Sequence, residues 1–166
     1  MFRVLKRSEY GIGIRFLAII ALSIGLSGCG SEDESPEATL LRDMDAMQEA
    51  AEARDLSEFM VYISEQYSDQ DGRTWKDIRA MTQLQFVRNP NIHTFKVVRG
   101  LEMTNDEHAT VTVLAALAGR PIDGASALSG LRAELMRFDL DWVLEEHWRI
   151  TTAQWSRAES GDFLGN

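Results

Sequence analysis

The sequence has a single cysteine and lacks a long uninterrupted apolar run. Its one cysteine, Cys29, has no second thiol to pair with, which excludes an intramolecular disulfide. The uncharged apolar run at residues 16–26 contains about 11 residues, whereas a helix that spans a bilayer needs roughly 20. No internal repeat is visible. These shortages exclude a disulfide-rich scaffold and disfavour a transmembrane anchor.

Motifs for metal binding and catalysis are also missing. The three histidines do not pair at metal-ligand spacing and are interpreted as surface residues: His93, His108 and His147. An EF-hand calcium loop is excluded because Gly72 follows directly after Asp71, where further oxygen ligands would be needed. No serine lies in a nucleophile-elbow pattern. We therefore predict no metal and no cofactor.

Basic residues are scarce relative to acidic ones. Residues 1–28 contain four of the 17 Lys and Arg and one of the 26 Asp and Glu, so 13 basic and 25 acidic residues follow them. The resulting net charge of −12 excludes a nucleic-acid-binding role, which requires clustered Lys and Arg. The remaining 138 residues are enough for one domain.

The N-terminal segment has the layout of a secretory signal peptide. A basic region precedes the apolar run, and the run closes on Leu26-Ser27-Gly28-Cys29. This ending resembles the lipobox of bacterial lipoproteins, in which a peptidase cuts just before a cysteine that carries lipid. The resemblance implies removal of residues 1–28 and acylation of Cys29, which would be the contact with the membrane. An ordinary signal peptide that happens to end in a cysteine is the alternative.

The residues after the cysteine indicate a cellular address. Residues 29–36 combine the lipidated cysteine with a small, acidic, flexible tether. Gly30 follows Cys29, whereas retention in the inner membrane of Gram-negative lipoproteins is usually signalled by an Asp there. By that resemblance, we expect a cell-envelope protein anchored in the outer membrane and facing the periplasm.

Apolar residues at helical spacing predict three helices after the tether. The first begins at Ser35-Pro36, with serine as N-cap, and the second begins near Asp55. A turn over residues 68–72 separates them from a third helix capped by Thr74. Its apolar face is predicted to contain Trp75, Ile78, Met81, Leu84 and either Phe86 or Val87.

The hydrophobic period then changes from 3.6 to 2, which predicts strands. Strands are expected over residues 92–103, over 108–118, and over a third segment that ends at Leu144 after a loop at 119–130. A tight turn leads to a last strand over 148–155. The fold class is therefore α+β, with N-terminal helices packed on a curved antiparallel sheet of about four strands, following a cleaved signal peptide.

This element order resembles the nuclear-transport-factor-2-like superfamily, the cone-shaped fold shared with ketosteroid isomerase and polyketide cyclases. The resemblance covers residues 37–157 and leaves 158–166 as a C-terminal tail. The segments that carry it are Ala53-Arg-Asp-Leu56, Tyr67-Ser-Asp-Gln-Asp-Gly72, Phe138-Asp-Leu-Asp-Trp142, His147-Trp-Arg-Ile150 and Trp155. It implies a cone that often holds a pocket between the sheet and the helices.

The resemblance also raises the question of an enzyme. In ketosteroid-isomerase-like members a carboxylate base and a tyrosine, or a protonated acid, line the pocket. The catalytic candidates that this implies here are Asp69, Asp71, Tyr62 and Tyr67. The alternative is that residues 69–72 form a solvated turn with helix-capping acids.

Other side chains are candidates for ligand binding. Strict alternation from residue 92 would direct Arg99 towards the apolar face, where a guanidinium needs an acidic partner or an anionic ligand. A register break at Val97–Val98, or a structural ion pair, is the alternative. Trp142 and Trp148 could line a pocket for a hydrophobic ligand, or they could belong to the core or to an interface.

Superfamily members commonly dimerise through the open face of the sheet, which makes a homodimer an expectation here. Residues that suit such a face are Thr110, Thr112, Thr151 and Trp155. We expect a non-enzymatic domain that binds a small hydrophobic ligand or an envelope protein, because no complete catalytic set is present. The rivals are a small isomerase or dehydratase that acts on a hydrophobic molecule and a structural partner of envelope assembly machinery.

Overall fold

The computed structural model describes residues 34–165. The predicted signal peptide, Cys29 and most of the tether therefore lie outside the described residues. Within residues 34–165, no helix is both long enough and apolar enough to span a bilayer.

Three helices form where the local sequence predicts them. Helix α1 is Pro36–Ala53, and the Ser35 side chain caps it by accepting the N–H of Ala38. Helix α2 is Leu56–Val61, and Asp55 accepts two backbone N–H groups at its start. Helix α3 is Trp75–Arg88. The Asp77 carboxylate accepts both the N–H and the hydroxyl of Thr74, which fixes the first turn of α3.

Four antiparallel strands follow in the simplest order. They are β1 (His93–Asn105), β2 (His108–Ala118), β3 (Ala133–Leu144) and β4 (Trp148–Arg157), and each pairs with the next. Short 3-10 turns, Ala125–Gly130 and Ser160–Leu164, precede β3 and follow β4. The predicted α+β plan of helices followed by an antiparallel sheet is thus confirmed.

The sheet buries apolar side chains on both of its faces. The face covered by the helices, called the helix face below, carries the larger cluster, which includes Val111, Val113, Leu140, Trp142, Trp148 and Ile150. The opposite face carries a smaller cluster in which Leu114, Ala116, Leu128 and Phe163 are buried. Both Val113 and its neighbour Leu114 are buried because they lie on opposite faces of a strand that is covered on both sides.

A bulge in β1 decides where Arg99 points. Val98 pairs with Val113 and Gly100 pairs with Thr112, so Arg99 is the extra residue between them. The bulge lies one residue beyond the break considered from the sequence. The bulge switches the apolar side chains of β1 from one face of the sheet to the other. Phe95, before it, packs in the cluster on the opposite face, whereas Leu101, after it, packs on the helix face. Arg99 itself is exposed and donates a hydrogen bond to the carbonyl of Asp162.

Helix α3 presents two apolar faces, and this corrects the single face predicted for it. Trp75 and Ile78 pack against the main cluster, and Phe86 meets Phe59 with 6.1 Å between ring centroids. Met81 and Leu84 point away from the domain and are exposed. The helical periodicity could not separate these faces because both are apolar.

The residues after β4 are part of the fold. Phe163 is 4% exposed and packs against the sheet, whereas the adjacent Leu164 is 62% exposed. The N–H of Ala158 donates to the carbonyl of Leu135 at 3.0 Å. Residues 158–164 therefore cover part of the sheet face that was expected to be open.

Candidate functional site

The candidate site lies in the connection between α2 and α3, which runs beside the outer edge of β4. Ile150 donates its N–H to the carbonyl of Tyr62 at 2.9 Å and accepts the N–H of Ser64 at 3.0 Å. The N–H of Ser68 then donates to the carbonyl of Thr151 at 3.1 Å. These bonds satisfy the backbone of an edge strand and hold the loop that carries the candidate acids.

Asp69 is buried inside this loop and is fully occupied by hydrogen bonds. Its Oδ1 accepts the backbone N–H groups of Asp71 and Arg73, each at 2.9 Å. Its Oδ2 accepts the Nε–H of Arg73 at 2.8 Å and the hydroxyl of Tyr67 at 3.4 Å. The carboxylate side chain has no exposed surface. Asp69 therefore holds the loop together through internal hydrogen bonds and is not a solvated turn residue.

The protonation of this pair follows from its surroundings. Burial opposes ionisation of Asp69, but the hydrogen bonds from the side chain and backbone of Arg73 and from the backbone of Asp71 outweigh it, so the pKa of Asp69 lies below its usual value of 3.8. Burial and the neighbouring Asp69 charge raise the pKa of the Tyr67 hydroxyl to about 12. Asp69 is thus ionised, Tyr67 is protonated, and neither is poised to exchange a proton near neutral pH.

Arg73 is the central residue of the site, and the sequence analysis did not single it out. Its guanidinium pairs with Asp69 and with the exposed carboxylate of Asp71. It also lies over the ring of Trp155, with 4.2 Å between Cζ and the ring centroid. The signal available in the sequence was an arginine four residues after Asp69 in a loop rich in acids. We call Asp69, Arg73 and Trp155 the clamp.

The other predicted residues occupy different places. Tyr62 donates to Glu58 at 3.4 Å and packs edge-on against His147, with 6.1 Å between ring centroids. Burial and the Glu58 charge raise the pKa of Tyr62. The structure thus brings Tyr67, Asp69 and Asp71 together around Arg73 and places Tyr62 with other partners.

Trp155 lies on the helix face of the sheet. It belongs to the main cluster and contacts Phe138, with 6.5 Å between ring centroids. This corrects its expected position on the open face, where Thr110 is exposed. The hydrophobic period alone did not determine which side of β4 the helices cover.

The two tryptophans proposed as ligand contacts are both in the core. Trp148 is completely buried; its Nε1–H donates to the hydroxyl of Thr39 and its backbone N–H donates to Asp43, both at 3.0 Å. Trp142 is 1% exposed, and its Nε1–H has no hydrogen-bond partner in the part of the chain that the structure describes. Large side chains therefore fill the helix face at this end of the sheet.

An open groove lies beside the clamp at the start of α3. It has a volume of about 410 Å³ and is lined by Glu65, Thr74, Trp75 and Lys76. Trp75 gives it an apolar wall, while Glu65 and Lys76 place one charge of each sign at its rim. The groove is open to solvent and not an enclosed cavity. Over residues 34–165, no group of three or more His, Cys, Asp and Glu side chains is arranged to hold a metal ion.

Comparison with known proteins identifies the fold. No protein-family model matches the sequence, and no curated protein matches it. A nuclear-transport-factor-2-like protein of unknown function from Shewanella oneidensis is similar in structure, with a TM-score of 0.54, 16% identity, and coverage of 73% of this chain and 98% of that one. A candidate scytalone dehydratase from Novosphingobium aromaticivorans has a TM-score of 0.56, 11% identity, and coverage of 73% and 83%.

Bd1075 from Bdellovibrio bacteriovorus is also similar, with a TM-score of 0.58 and 10% identity. The match covers 72% of this chain but only 40% of the length of Bd1075. At identities this low the likeness shows the fold alone. The domain therefore has the nuclear-transport-factor-2-like fold that the sequence predicted.

Proposed function

We propose that this chain is a lipoprotein of the cell envelope whose domain binds a hydrophobic molecule or an envelope protein without catalysing a reaction. The observation that carries the proposal is the saturation of Asp69, the candidate base, by four hydrogen bonds. A general base needs a free lone pair directed at its substrate, and Asp69 has none to offer.

The second buried carboxylate supports the same conclusion. Asp43 and Asp69 are the buried acidic residues among residues 34–165. Asp43 accepts the backbone N–H of Trp148, which ties α1 to the start of β4. Both acids therefore serve the fold, and Asp71 is exposed and pairs with Arg73.

The groove beside the clamp is the proposed binding surface. Trp75 supplies a large apolar surface at low cost in side-chain entropy, and Lys76 can pair with an anionic end of a ligand. The clamp fixes the loop that precedes Trp75, so this wall of the groove is preorganised.

The proposed address rests on the sequence around Cys29. Helix α1 starts at Pro36, seven residues after Cys29. A tether of that length reaches at most about 25 Å when fully extended. Acyl chains on Cys29 would therefore hold the domain close to the outer membrane, on its periplasmic side.

One experiment tests both parts of this proposal. The native protein is extracted from its own membranes in mild detergent and analysed by native mass spectrometry. We expect a chain that begins at residue 29, carries acyl groups on Cys29 and retains a small molecule or protein. Trp75→Ala should lose that occupant, whereas Leu144→Ala, at an exposed apolar side chain that does not line the groove, should keep it. An unmodified thiol would refute the anchor, and an empty wild-type protein would refute the binding role.

A small isomerase or dehydratase is the second candidate. The 3.4 Å contact between the Tyr67 hydroxyl and Asp69 favours it, because a tyrosine beside a carboxylate can position an oxygen of a substrate. A candidate scytalone dehydratase shares the fold. If Tyr67→Phe abolishes the turnover of a co-purified molecule but leaves its binding unchanged, the protein is an enzyme and not a non-catalytic binding domain.

A further inference from the structure

Exposed apolar side chains concentrate on one helix. The described residues have five large hydrophobic side chains that are exposed, and three of them lie on α3. Met81 is 43% exposed, Leu84 is 47% exposed and Val87 is 76% exposed. Single exposed apolar residues are ordinary, but three within two turns of one helix form a surface that another apolar surface can cover.

Met81 and Leu84 belong to a stripe with an opposite charge at each end, and Val87 lies to one side of it. Asp77, Met81, Leu84 and Arg88 recur every three or four residues, so they share one side of α3. Trp75, on the other side, packs against the main cluster. The stripe runs from an acid near the start of the helix to a base at its end, a distance of about 16 Å at 1.5 Å per residue.

Both terminal charges have capacity for a new partner. Asp77 uses Oδ2 to accept the N–H and hydroxyl of Thr74, and its Oδ1 accepts no hydrogen bond within residues 34–165. Arg88 forms no ion pair with any residue that the structure describes. The stripe is therefore complementary to a surface with apolar residues between a base and an acid.

We propose that the occupant of this stripe is α3 of a second copy of the chain, packed antiparallel. In that arrangement Leu84 of each copy lies against Met81 of the other, and Arg88 of each lies against Asp77 of the other. The two sets of positions are symmetric about the same point of the helix, midway between residues 82 and 83. A parallel arrangement would place like charges opposite each other, so the charges select the antiparallel one.

The proposed contact between the two α3 helices is small, so it should form where two copies are already held close together. One helix pair over about 16 Å buries less than the roughly 1,200 Å² that a stable complex in solution needs. Two copies tethered to one membrane meet at a raised effective concentration, which favours a weak contact. This step rests on the proposed lipid anchor, whereas the complementarity of the stripe does not.

Cross-linking in membranes tests the arrangement. Copies carrying Asp77→Cys and copies carrying Arg88→Cys are produced together in full-length form and treated with a short bismaleimide. We expect a dimer whose cross-linked peptides join position 77 of one copy to position 88 of the other. Either variant alone should give about tenfold less dimer, because its two cysteines would lie about 16 Å apart along the helices. Equal yields from the single and mixed samples would overturn the antiparallel arrangement.

A substitution in the stripe tests the interface itself. When it is added to both single-cysteine copies, Leu84→Asp should reduce the 77-to-88 cross-link by about tenfold or more, because it buries a charge against an apolar partner. Leu144→Asp is the matched control, since Leu144 is 37% exposed and lies outside the stripe. Loss of the cross-link in both variants, or in neither, would refute the interface.

The failure of the anchor is distinguishable from the failure of the interface. If Cys29 proves unmodified but concentrated protein still forms the 77-to-88 cross-link, the interface stands without the anchor. If Cys29 is acylated and the mixed copies in membranes form no such cross-link, the interface is refuted and the anchor stands.

Discussion

The guanidinium of Arg73 is held between the buried carboxylate of Asp69 and the indole ring of Trp155. Its Nε–H donates to Asp69 at 2.8 Å, and its Cζ lies 4.2 Å from the Trp155 ring centroid. A planar guanidinium can use its edge for the carboxylate and its face for the ring at the same time. The clamp thereby joins the loop before α3 to strand β4, two segments that are far apart in the chain.

Asp69→Asn should lower the midpoint of thermal unfolding, because the amide removes the charge that pairs with Arg73 and places a donor where an acceptor is needed. Asp71→Asn is the matched control: Asp71 also pairs with Arg73 but is 57% exposed. We expect the control to change the free energy of unfolding by no more than about 0.5 kcal/mol. Circular dichroism melts check this, and equal effects of the two substitutions would contradict the role of the clamp.

The stability of the domain should fall in acid, partly through Asp69. The folded-state pKa of Asp69 is lower than its usual value of 3.8, so the unfolded chain binds its proton first as the pH falls. The contribution of this residue is present above about pH 4 and is lost as the pH falls through the folded-state pKa. Urea unfolding at about pH 6 and about pH 3 should show a smaller pH dependence for Asp69→Asn than for the natural sequence. If Asp69→Asn shows the same change in unfolding free energy between these two pH values as the natural sequence, Asp69 is not an ionised, buried carboxylate in the folded domain.

The tyrosines of the folded domain should ionise at a higher pH than an unperturbed tyrosine. Tyr10 lies in the predicted signal peptide, which leaves Tyr62 and Tyr67 in a chain that begins at residue 29. Tyr62 has a raised pKa, and that of Tyr67 is about 12. Because the unfolded phenols ionise near pH 10, the stability should fall as the pH rises from there towards 12.

Ultraviolet absorbance of phenolate should therefore show the two tyrosines well under half ionised at pH 10 while the domain is folded, whereas unperturbed phenols would be half ionised there. Tyr67→Phe should remove the component near pH 12. A full two-tyrosine titration centred on the ordinary value would contradict the buried, acid-flanked hydroxyl of Tyr67.

Phe163→Ala should destabilise the domain by about 3–5 kcal/mol, because it removes a buried aromatic side chain that covers the sheet. The adjacent Leu164→Ala, at an exposed side chain, should stay within about 0.5 kcal/mol. Chemical denaturation of both variants measures the difference. Similar small effects would mean that residues 158–164 behave as the tail predicted from the sequence.

Thr39→Ala should cost about 1–3 kcal/mol, because it leaves the Nε1–H of the buried Trp148 without an acceptor. Thr39→Ser keeps the hydroxyl and should retain most of the stability. The comparison by chemical denaturation isolates the hydrogen bond from the loss of a methyl group. If serine and alanine are equally destabilising, the bond between α1 and β4 is not what matters at this position.

The features that were predicted correctly depend on neighbours in the chain. Ser35 and Asp55 start helices because a short polar side chain can accept backbone N–H groups two or three residues ahead. At the start of α3 the Asp77 side chain reaches back three residues and accepts the N–H of Thr74. Residues 108–118 were predicted as a strand with the same bounds as β2, since strict alternation is a local signal.

Other features could not be read in this way. The turn composition of residues 69–72 suggested either a catalytic acid or a solvated loop, and the structure shows instead a buried Asp69 carboxylate paired with Arg73. Val87 fits a helical apolar pattern as well as Phe86 does, yet Val87 is 76% exposed. Burial is a relation between segments, so a pattern within one segment does not reveal it.

The order of helices and strands and the caps that begin the helices follow from contacts within a few residues, and the acidity of the domain follows from composition, so all three could be read without the fold. The tertiary structure alone decided that Arg99 leaves the sheet at a bulge, that Trp155 lies on the helix face and that Phe163 covers the other face. Each of these outcomes depends on which distant segment packs against a strand, and the free energy of that packing belongs to the pair of surfaces and not to either stretch of sequence.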